Sequence, residues 1–196
     1  MSCFEKNEQC RKLILASKSP RRKELLQRSN VAFSVCTADV PELEKASDMR
    51  DLPRLNALRK ALAVSIMNPE QMVLGADTMI LFENRAIGKP RDISDAFRML
   101  REFSGKEHEV ITGVALCLNG KEKSSWSEQS RVYFKKLSDE MIEYYLSKVM
   151  VLDKAGAYAI QEHGDLIIES FSGEEENIIG LPLQKLLVFL RKNGLL

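Results

Sequence analysis

The pattern of hydrophobic and polar positions changes period several times along the chain. Short, β-prone apolar runs predict buried strands at residues 13–16, 31–36 and 72–82. Apolar residues at helical spacing predict helices at residues 20–29 and 52–66, the second with an apolar face of Leu55, Leu58, Leu62 and Ile66. Strands and helices therefore alternate in the first half of the chain, which favours an α/β fold.

The second half of the chain departs from this alternation. Asn119-Gly120 is a strong signal for a tight turn and predicts a hairpin whose second strand covers about residues 124–135. Further helices are predicted from a cap at Asp92 or Ser94 to about Phe103, at residues 139–148 and at residues 182–191. The loop at residues 153–161 is predicted to lead to a short strand, and residues 166–168 to form another. We expect Met141, Tyr145 and Val149 to point inward. A hairpin among alternating elements predicts a mixed sheet flanked by helices.

The domain organisation follows from what the chain lacks. No repeat and no Pro, Gly or Ser-rich linker divides it, so residues 13–196 are predicted to form a single α/β domain, with two lobes. Residues 1–12 are polar and mixed, which predicts a loosely held leader rather than a signal peptide.

The turn after the first strand has the composition of an anion site. Ser19 followed by Pro20 predicts a helix N-terminus, which offers unpaired N–H groups and the positive end of the helix dipole. Ser17, Arg21 and Arg22 lie within one turn of it. This combination suits a phosphate, and the alternative is an ordinary helix cap with solvated arginines.

An aspartate interrupts the most hydrophobic segment of the chain. Asp77 lies in the middle of residues 72–82, where an unpaired carboxylate would be costly to bury. It therefore needs a cation, hydrogen-bond donors or a proton, and a structural salt bridge is the alternative to a catalytic role. Gly75, two residues earlier, indicates either a close approach of another backbone or a break in the strand.

Composition restricts the class of partner and the compartment. The 29 Lys and Arg nearly balance the 28 Asp and Glu, giving a net charge of +1 and no bulk attraction to nucleic acid or membranes. The four cysteines have no CxxC spacing and lie far from both histidines, which argues against zinc. No apolar run approaches ~20 residues. We expect a cytoplasmic protein with reduced thiols, a local anion site and a small-molecule partner.

Six segments, taken together, resemble the Maf family of nucleoside triphosphate pyrophosphatases in order and spacing. They are SKSPRR (17–22), GADT (75–78), GKP (88–90), HEVITG (108–113), DKAGAYAIQ (153–161) and IGLP (179–182). The resemblance implies an elongated α/β fold with a cleft between two lobes, similar to inosine triphosphate pyrophosphatases. It also implies hydrolysis of a nucleoside triphosphate to the monophosphate and pyrophosphate with Mg²⁺, Mn²⁺ or Co²⁺. Homodimers occur in the family.

The resemblance also assigns site residues. By their match to the family's motifs, the catalytic set is Glu42, Lys60, Asp77 and Lys89, with Glu42 and Asp77 as metal ligands. The substrate-binding set is Ser17, Arg21, Arg22, Thr78 and Gln161. The residues at Arg22, Thr78 and Gln161 match the subfamily that acts on dTTP and UTP, whether the pyrimidine is unmodified or modified, rather than the one preferring methylated guanine nucleotides.

A second interpretation comes from a different class of function. Some members of the family are associated with inhibition of septum formation, so the alternative is a nucleotide-binding regulator of cell division with little or no turnover. Such a protein would keep Arg21, Arg22 and Lys89 but would not need both Glu42 and Asp77. The presence of both carboxylates favours the enzyme.

Overall fold

The computed structural model describes residues 13–196, so the predicted leader at residues 1–12 lies outside the described residues. The strands are β1 (Leu13–Leu15), β2 (Phe33–Val35), β3 (Val73–Phe82), β4 (Arg85–Ile87), β5 (Glu107–Leu118), β6 (Lys121–Phe134) and β7 (Ile168–Ser172). The α-helices are α1 (Pro20–Arg28), α2 (Leu52–Met67), α3 (Ile93–Phe103), α4 (Asp139–Lys148), α5 (Glu175–Ile179) and α6 (Leu183–Lys192). Short 3₁₀ turns occupy Met49–Asp51, Ala155–Ala157 and Gly164–Leu166.

The strands form one mixed sheet, as predicted. Their order is β2-β1-β3-β5-β6-β7, and β4 pairs with β3. β1 runs parallel to β2 and β3, whereas β3, β5, β6 and β7 pair antiparallel. Asn119 and Gly120 have φ values of 51° and 65°, the left-handed backbone that a tight β5–β6 turn requires. Because this turn needs only two residues, β6 begins at Lys121, earlier than the predicted residue 124.

One face of the sheet carries two separate apolar clusters. Leu25 of α1 and Leu186 of α6 pack at one end, over the start of β3 and the end of β5. Leu100 of α3 and Ile142 of α4 pack at the other end, over the end of β3. The short helix α5 contacts β5 and β6 and also α1, so it lies between the two clusters. This division agrees with the two predicted lobes.

Helix α2 covers the opposite face with small side chains, not with its leucines. The fully buried residues of α2 are Ala57, Ala61 and Val64. The predicted apolar face is therefore wrong. Its leucines, Leu55, Leu58 and Leu62, are only half-buried, and Ile66 is 68% exposed. A Cβ at Gly75 of β3 would lie 2.2 Å from the Ala57 carbonyl oxygen. The helix therefore approaches the sheet too closely for larger residues, and β3 continues through Gly75 without a break.

The same close approach makes Gly113 of β5 sensitive to substitution. A Cβ at Gly113 would lie 2.1 Å from the backbone nitrogen of Arg54. Because the clash involves backbone atoms, no rotamer change relieves it, and we expect Gly113→Ala to lower the free energy of unfolding by about 3 kcal/mol. Urea unfolding measures this loss. Gly88→Ala, whose Cβ would meet no atom within 4 Å, is the matched control, and equal midpoints for both variants would contradict the prediction.

Several other local predictions are wrong in instructive ways. Met141 is 38% exposed, and the neighbouring Ile142 is buried in its place. The loop at residues 153–161 contains a 3₁₀ turn and is followed by a second one at Gly164–Leu166 instead of the predicted short strand. The last strand begins at Ile168 instead of Leu166. Helix α5 escaped prediction because five residues are too few to show a helical period. No helix within residues 13–196 has the length and apolar content needed to cross a membrane.

Candidate active site

The site lies beside a segment in the middle of β3 that has no neighbouring strand on one side. β5 pairs with β3 along nearly its whole length on one side. On the other side β1 pairs with the start of β3 and β4 with its end, so residues 76–79 have no strand partner there within the described chain. Side chains from both faces of the sheet can reach this gap. Asp77 enters it from the face that α2 covers, and Thr78 from the opposite face.

The structure brings all nine predicted site residues to one cleft at this gap, with a volume of about 470 Å³. They are Ser17, Arg21, Arg22, Glu42, Lys60, Asp77, Thr78, Lys89 and Gln161. Pockets that bind small molecules have volumes of about 300–1,000 Å³. The shared location agrees with a single site of nucleotide size, and the individual roles remain predictions.

Arg22 is held from three directions by neutral oxygen atoms. Its Nε donates to the Gly180 carbonyl at 2.9 Å, its Nη1 to Ser17 Oγ at 3.0 Å and its Nη2 to Thr78 Oγ1 at 2.9 Å. Burial lowers the pKa of Arg22, because desolvation disfavours the charged form. A guanidinium that is half-buried, fixed and hydrogen-bonded only to neutral groups is well suited to receive an anion.

The carbonyl that orients Arg22 belongs to Gly180, whose role the sequence did not reveal. Gly180 follows α5 with φ of 127°, a conformation that favours glycine. A Cβ there would lie 3.3 Å from Thr78 Oγ1. The segment IGLP carried the family resemblance, but its contact with Arg22 joins residues 158 positions apart in the chain, which no local pattern indicates.

The turn before α1 is organised by Ser17 rather than by the predicted cap. Ser19 occupies the N-cap position and Pro20 begins the helix, but the Ser19 side chain makes no capping hydrogen bond. Instead, Ser17 Oγ accepts hydrogen bonds from the backbone N–H of Ser19 and from Arg22. Ser17 is buried, so its hydroxyl ties the turn to the arginine that follows.

Lys60 supplies the positive charge that the carboxylate of Asp77 needs in its apolar strand. Lys60 Nζ lies 2.7 Å from Asp77 Oδ1 and 2.5 Å from Glu42 Oε1. The Asp77 side chain is only 15% exposed, and burial raises its pKa while the charge of Lys60 opposes that rise. Two predicted carboxylates, one from the long loop before α2 and one from β3, therefore converge on a single positive charge from α2.

This convergence fits a hard divalent cation. Glu42 and Asp77 are close enough to share one ammonium group, and oxygen ligands are those that Mg²⁺ and Mn²⁺ prefer. Residues 13–196 contain no group of three His, Cys, Asp or Glu side chains arranged as a metal site. The donor set therefore suits a cation that takes its other ligands from water and substrate phosphates.

Arg21 also lines the cleft and pairs there with Asp153. Arg21 Nη1 lies 3.4 Å from Asp153 Oδ2, and Asp153 also accepts a hydrogen bond from Lys154 at 2.9 Å. Lys154 is itself buried and donates to the Met150 carbonyl, which anchors the loop. Because Asp153 is largely exposed, its pair with Arg21 is weak and leaves the arginine available to a stronger anion.

An aromatic cluster supports the far wall of the cleft. Tyr158 lines the cleft, and its hydroxyl lies 2.7 Å from His108 Nε2. Burial lowers the pKa of His108 to about 3, so the ring is neutral at physiological pH and stacks on Phe103 at 4.6 Å between ring centroids. The exposed Gln161 lies three residues beyond Tyr158. His108 thus has a structural position behind the wall, whereas His163 is exposed.

Glu174 connects the start of α5 with α6. Glu174, the N-cap residue of α5 and the first of the acidic run at residues 174–176, is half-buried, and its carboxylate accepts a hydrogen bond from the Gln184 backbone N–H at 2.9 Å. Burial raises the pKa of Glu174. It therefore ties the start of α5 to α6 instead of pointing freely into water.

Comparison with known proteins identifies the family. A dTTP/UTP pyrophosphatase from Akkermansia muciniphila is 43% identical over 186 residues, covering 93% of this chain and 96% of that protein. One from Bacillus cytotoxicus is 43% identical over 184 residues, covering 93% and 95%. Among solved structures, a HAM1 protein from Coxiella burnetii aligns with a TM-score of 0.43 and 14% identity over 64% of this chain and 74% of its own. Residues 12–193 match the family described as Maf-like protein, and the chain therefore belongs to the Maf family.

Proposed function

We propose that this chain is a nucleoside triphosphate pyrophosphatase that acts on dTTP and UTP with the help of a divalent cation. The observation that carries the proposal is that the part-buried Asp77–Lys60 pair and Arg22 line the same cleft. A carboxylate and a cluster of cations within one cavity are what hydrolysis of a charged phosphoanhydride needs. The relatives named dTTP/UTP pyrophosphatase supply the substrate class.

The cationic groups position the phosphate chain. Arg21 and Arg22 project from the first turn of α1, and Lys89 lines the same cleft from the segment after β4. Guanidinium groups can make paired contacts to phosphate oxygens, whereas the lysine acts as a point charge. These groups neutralise a triphosphate and hold its α-phosphorus toward Asp77, with the hydroxyl of Ser17 fixing the angle of the turn.

Asp77 acts as the general base. It accepts a proton from the water that attacks the α-phosphorus, and pyrophosphate leaves as the product. The hydrogen bond from Lys60 orients the carboxylate and favours its ionised form against the cost of burial. Glu42 and Asp77 would hold the divalent cation, which supplies charge neutralisation and lowers the pKa of a bound water when it is present.

Base selection is assigned to Thr78 and Gln161. Both line the cleft, and Arg22 binds the Thr78 hydroxyl. A hydroxyl and an amide can form hydrogen bonds to the polar edge of a pyrimidine. A site built on such bonds rejects a base that leaves them unpaired. A modified pyrimidine that keeps this edge would be accepted as well.

Release of pyrophosphate from a nucleotide panel tests the proposal. Purified protein is assayed with UTP, dTTP, GTP and 7-methyl-GTP, each with Mg²⁺, Mn²⁺ or Co²⁺ and after chelation. We expect faster cleavage of UTP and dTTP than of either guanine nucleotide, and loss of activity with the chelator. Faster cleavage of 7-methyl-GTP would contradict the substrate class. Absence of pyrophosphate release with every metal would support the nucleotide-binding regulator instead.

A further inference from the structure

The ammonium group of Lys60 lies between the same two carboxylates that we assign to the divalent cation. Its Nζ is 2.5 Å from Oε1 of Glu42 and 2.7 Å from Oδ1 of Asp77. The side chains of Lys60 and Asp77 are only 20% and 15% exposed, so water screens their charges only in part. The pair of carboxylates therefore has two alternative cations, one of which belongs to the chain itself.

The two cations compete for this pair. A divalent cation held by Glu42 and Asp77 would lie close to the ammonium group of Lys60, and like charges at contact distance repel strongly where water is scarce. Either cation therefore weakens the hold of the carboxylates on the other. Lys60 has a flexible four-carbon stem, so its ammonium group can turn toward another anion when one is present.

The other charges of the cleft favour an anion over a free metal ion. The lining contains six Lys and Arg side chains but only three acidic ones, Glu42, Asp77 and Asp153, which gives these groups a net charge of +3. Such a cleft attracts a triphosphate and repels a divalent cation. A bound triphosphate reverses the sign of the local charge and also offers oxygen atoms that can accept hydrogen bonds from Lys60.

We propose that Lys60 is the built-in counter-ion of the Glu42–Asp77 pair and makes tight binding of a divalent cation depend on a bound triphosphate. Phosphate oxygens share the ammonium group of Lys60 and so weaken its hold on the two carboxylates. By linkage, the divalent cation must strengthen the binding of the triphosphate by the same factor. This inference rests on the metal ligands named in the proposed function.

Binding of Mn²⁺ to the protein without nucleotide tests the proposal, and no turnover is involved. The electron paramagnetic resonance signal of free Mn²⁺ gives the Kd. Lys60→Met removes the competing charge, and we expect it to bind Mn²⁺ at least about 10-fold more tightly than the unaltered protein. Lys60→Arg keeps a positive charge and is expected to bind Mn²⁺ as weakly as the unaltered protein does.

Lys89→Met is the matched control, because it removes another positive charge from the lining of the same cleft. We expect its Mn²⁺ affinity to stay near that of the unaltered protein. An equal gain in Lys89→Met and Lys60→Met would show that only the total charge matters and would overturn the proposal. So would an unchanged Kd in Lys60→Met. The gain must also disappear when Lys60→Met is combined with Asp77→Asn, since a gain that persists would place the Mn²⁺ elsewhere.

Thermal unfolding guards against a variant that folds poorly, since Lys60→Met leaves the carboxylate of Asp77 without its partner. We expect Mn²⁺ to raise the Tm of Lys60→Met more than that of the unaltered protein, because a ligand stabilises the fold according to its affinity. If Lys60→Met does not fold at any Mn²⁺ concentration, Lys60→Gln, which keeps a donor without the charge, is held to the same expectations.

The proposed function and this inference can fail separately. If UTP releases no pyrophosphate with any metal, the proposed function fails, whatever the affinity for Mn²⁺. If UTP is cleaved and the loss of the Lys60 charge brings no gain in Mn²⁺ affinity, only the role of Lys60 as counter-ion fails.

Discussion

Replacing Asp77 with asparagine is expected to lower the turnover of UTP about 100-fold or more, the scale of general base catalysis. Asparagine has nearly the same shape and keeps an oxygen that can accept the hydrogen bond from Lys60. It cannot take a proton from water. Lys60 also retains Glu42 at 2.5 Å, so its charge stays paired and the fold should be unchanged. Steady-state pyrophosphate release measures turnover, and thermal unfolding measures the fold.

Asp51→Asn is the matched control for this experiment. Asp51 forms an equally close ion pair, with Oδ1 at 2.6 Å from Nε of Arg54, but it lies outside the cleft. We expect this variant to retain full turnover, since only the pairing with Arg54 is weakened. If Asp77→Asn turned over UTP at the same rate as Asp51→Asn, Asp77 would have no place in the mechanism.

Two parts of the site could be predicted from the sequence. One consists of residues that are close together in the chain, and the other is a charged residue in an apolar strand, which needs a partner. Ser17, Arg21 and Arg22 lie within six positions at a helix start, so their spacing predicted an anion site, with an ordinary helix cap as the alternative. Asp77 was visible because an apolar strand cannot bury a carboxylate without a partner. The resemblance then assigned a role to Lys60, and the structure places it 2.7 Å from Asp77.

What could not be predicted depends on how elements face each other. The leucine spacing of α2 pointed to the wrong face, because the helix approaches the sheet at Gly75 so closely that only alanines fit between them. The orientation of Lys60 depends on that packing. The Gly180 carbonyl that holds Arg22 and the Asn177 carbonyl that holds Thr112 are main-chain groups, so residue identity gives no signal for them.

In the fold, too, features set by neighbouring residues could be predicted, whereas features set by contacts between distant segments could not. The Asn119-Gly120 turn and the hairpin it makes were predictable, since two residues determine the left-handed backbone. The antiparallel position of β7 beside β6 was not, because a sheet edge depends on which distant strand arrives there. The open segment of β3 at residues 76–79 is also a result of two separate pairings, with β1 and with β4.

Arg22→Met is expected to reduce kcat/KM for UTP on the order of 1000-fold, the scale on which an arginine stabilises transferring phosphoryl groups. The substitution removes a half-buried cation from the cleft and leaves the oxygens of Ser17, Thr78 and Gly180 without their donor. Arg22→Lys keeps the positive charge but cannot make three directed hydrogen bonds, so it should recover only part of the loss. Initial rates at low UTP concentration measure the effect.

The matched control for Arg22 lies on the same helix. Arg28, in the last turn of α1, is exposed, and Arg28→Met should leave kcat/KM unchanged. Full recovery in Arg22→Lys would show that charge alone matters and that the three-way hold on Arg22 contributes nothing. Because Arg22 also binds the Thr78 hydroxyl, its loss should reduce the preference for UTP over GTP together with the rate. A loss of rate with an unchanged preference would separate the phosphate contacts of Arg22 from its contact with Thr78.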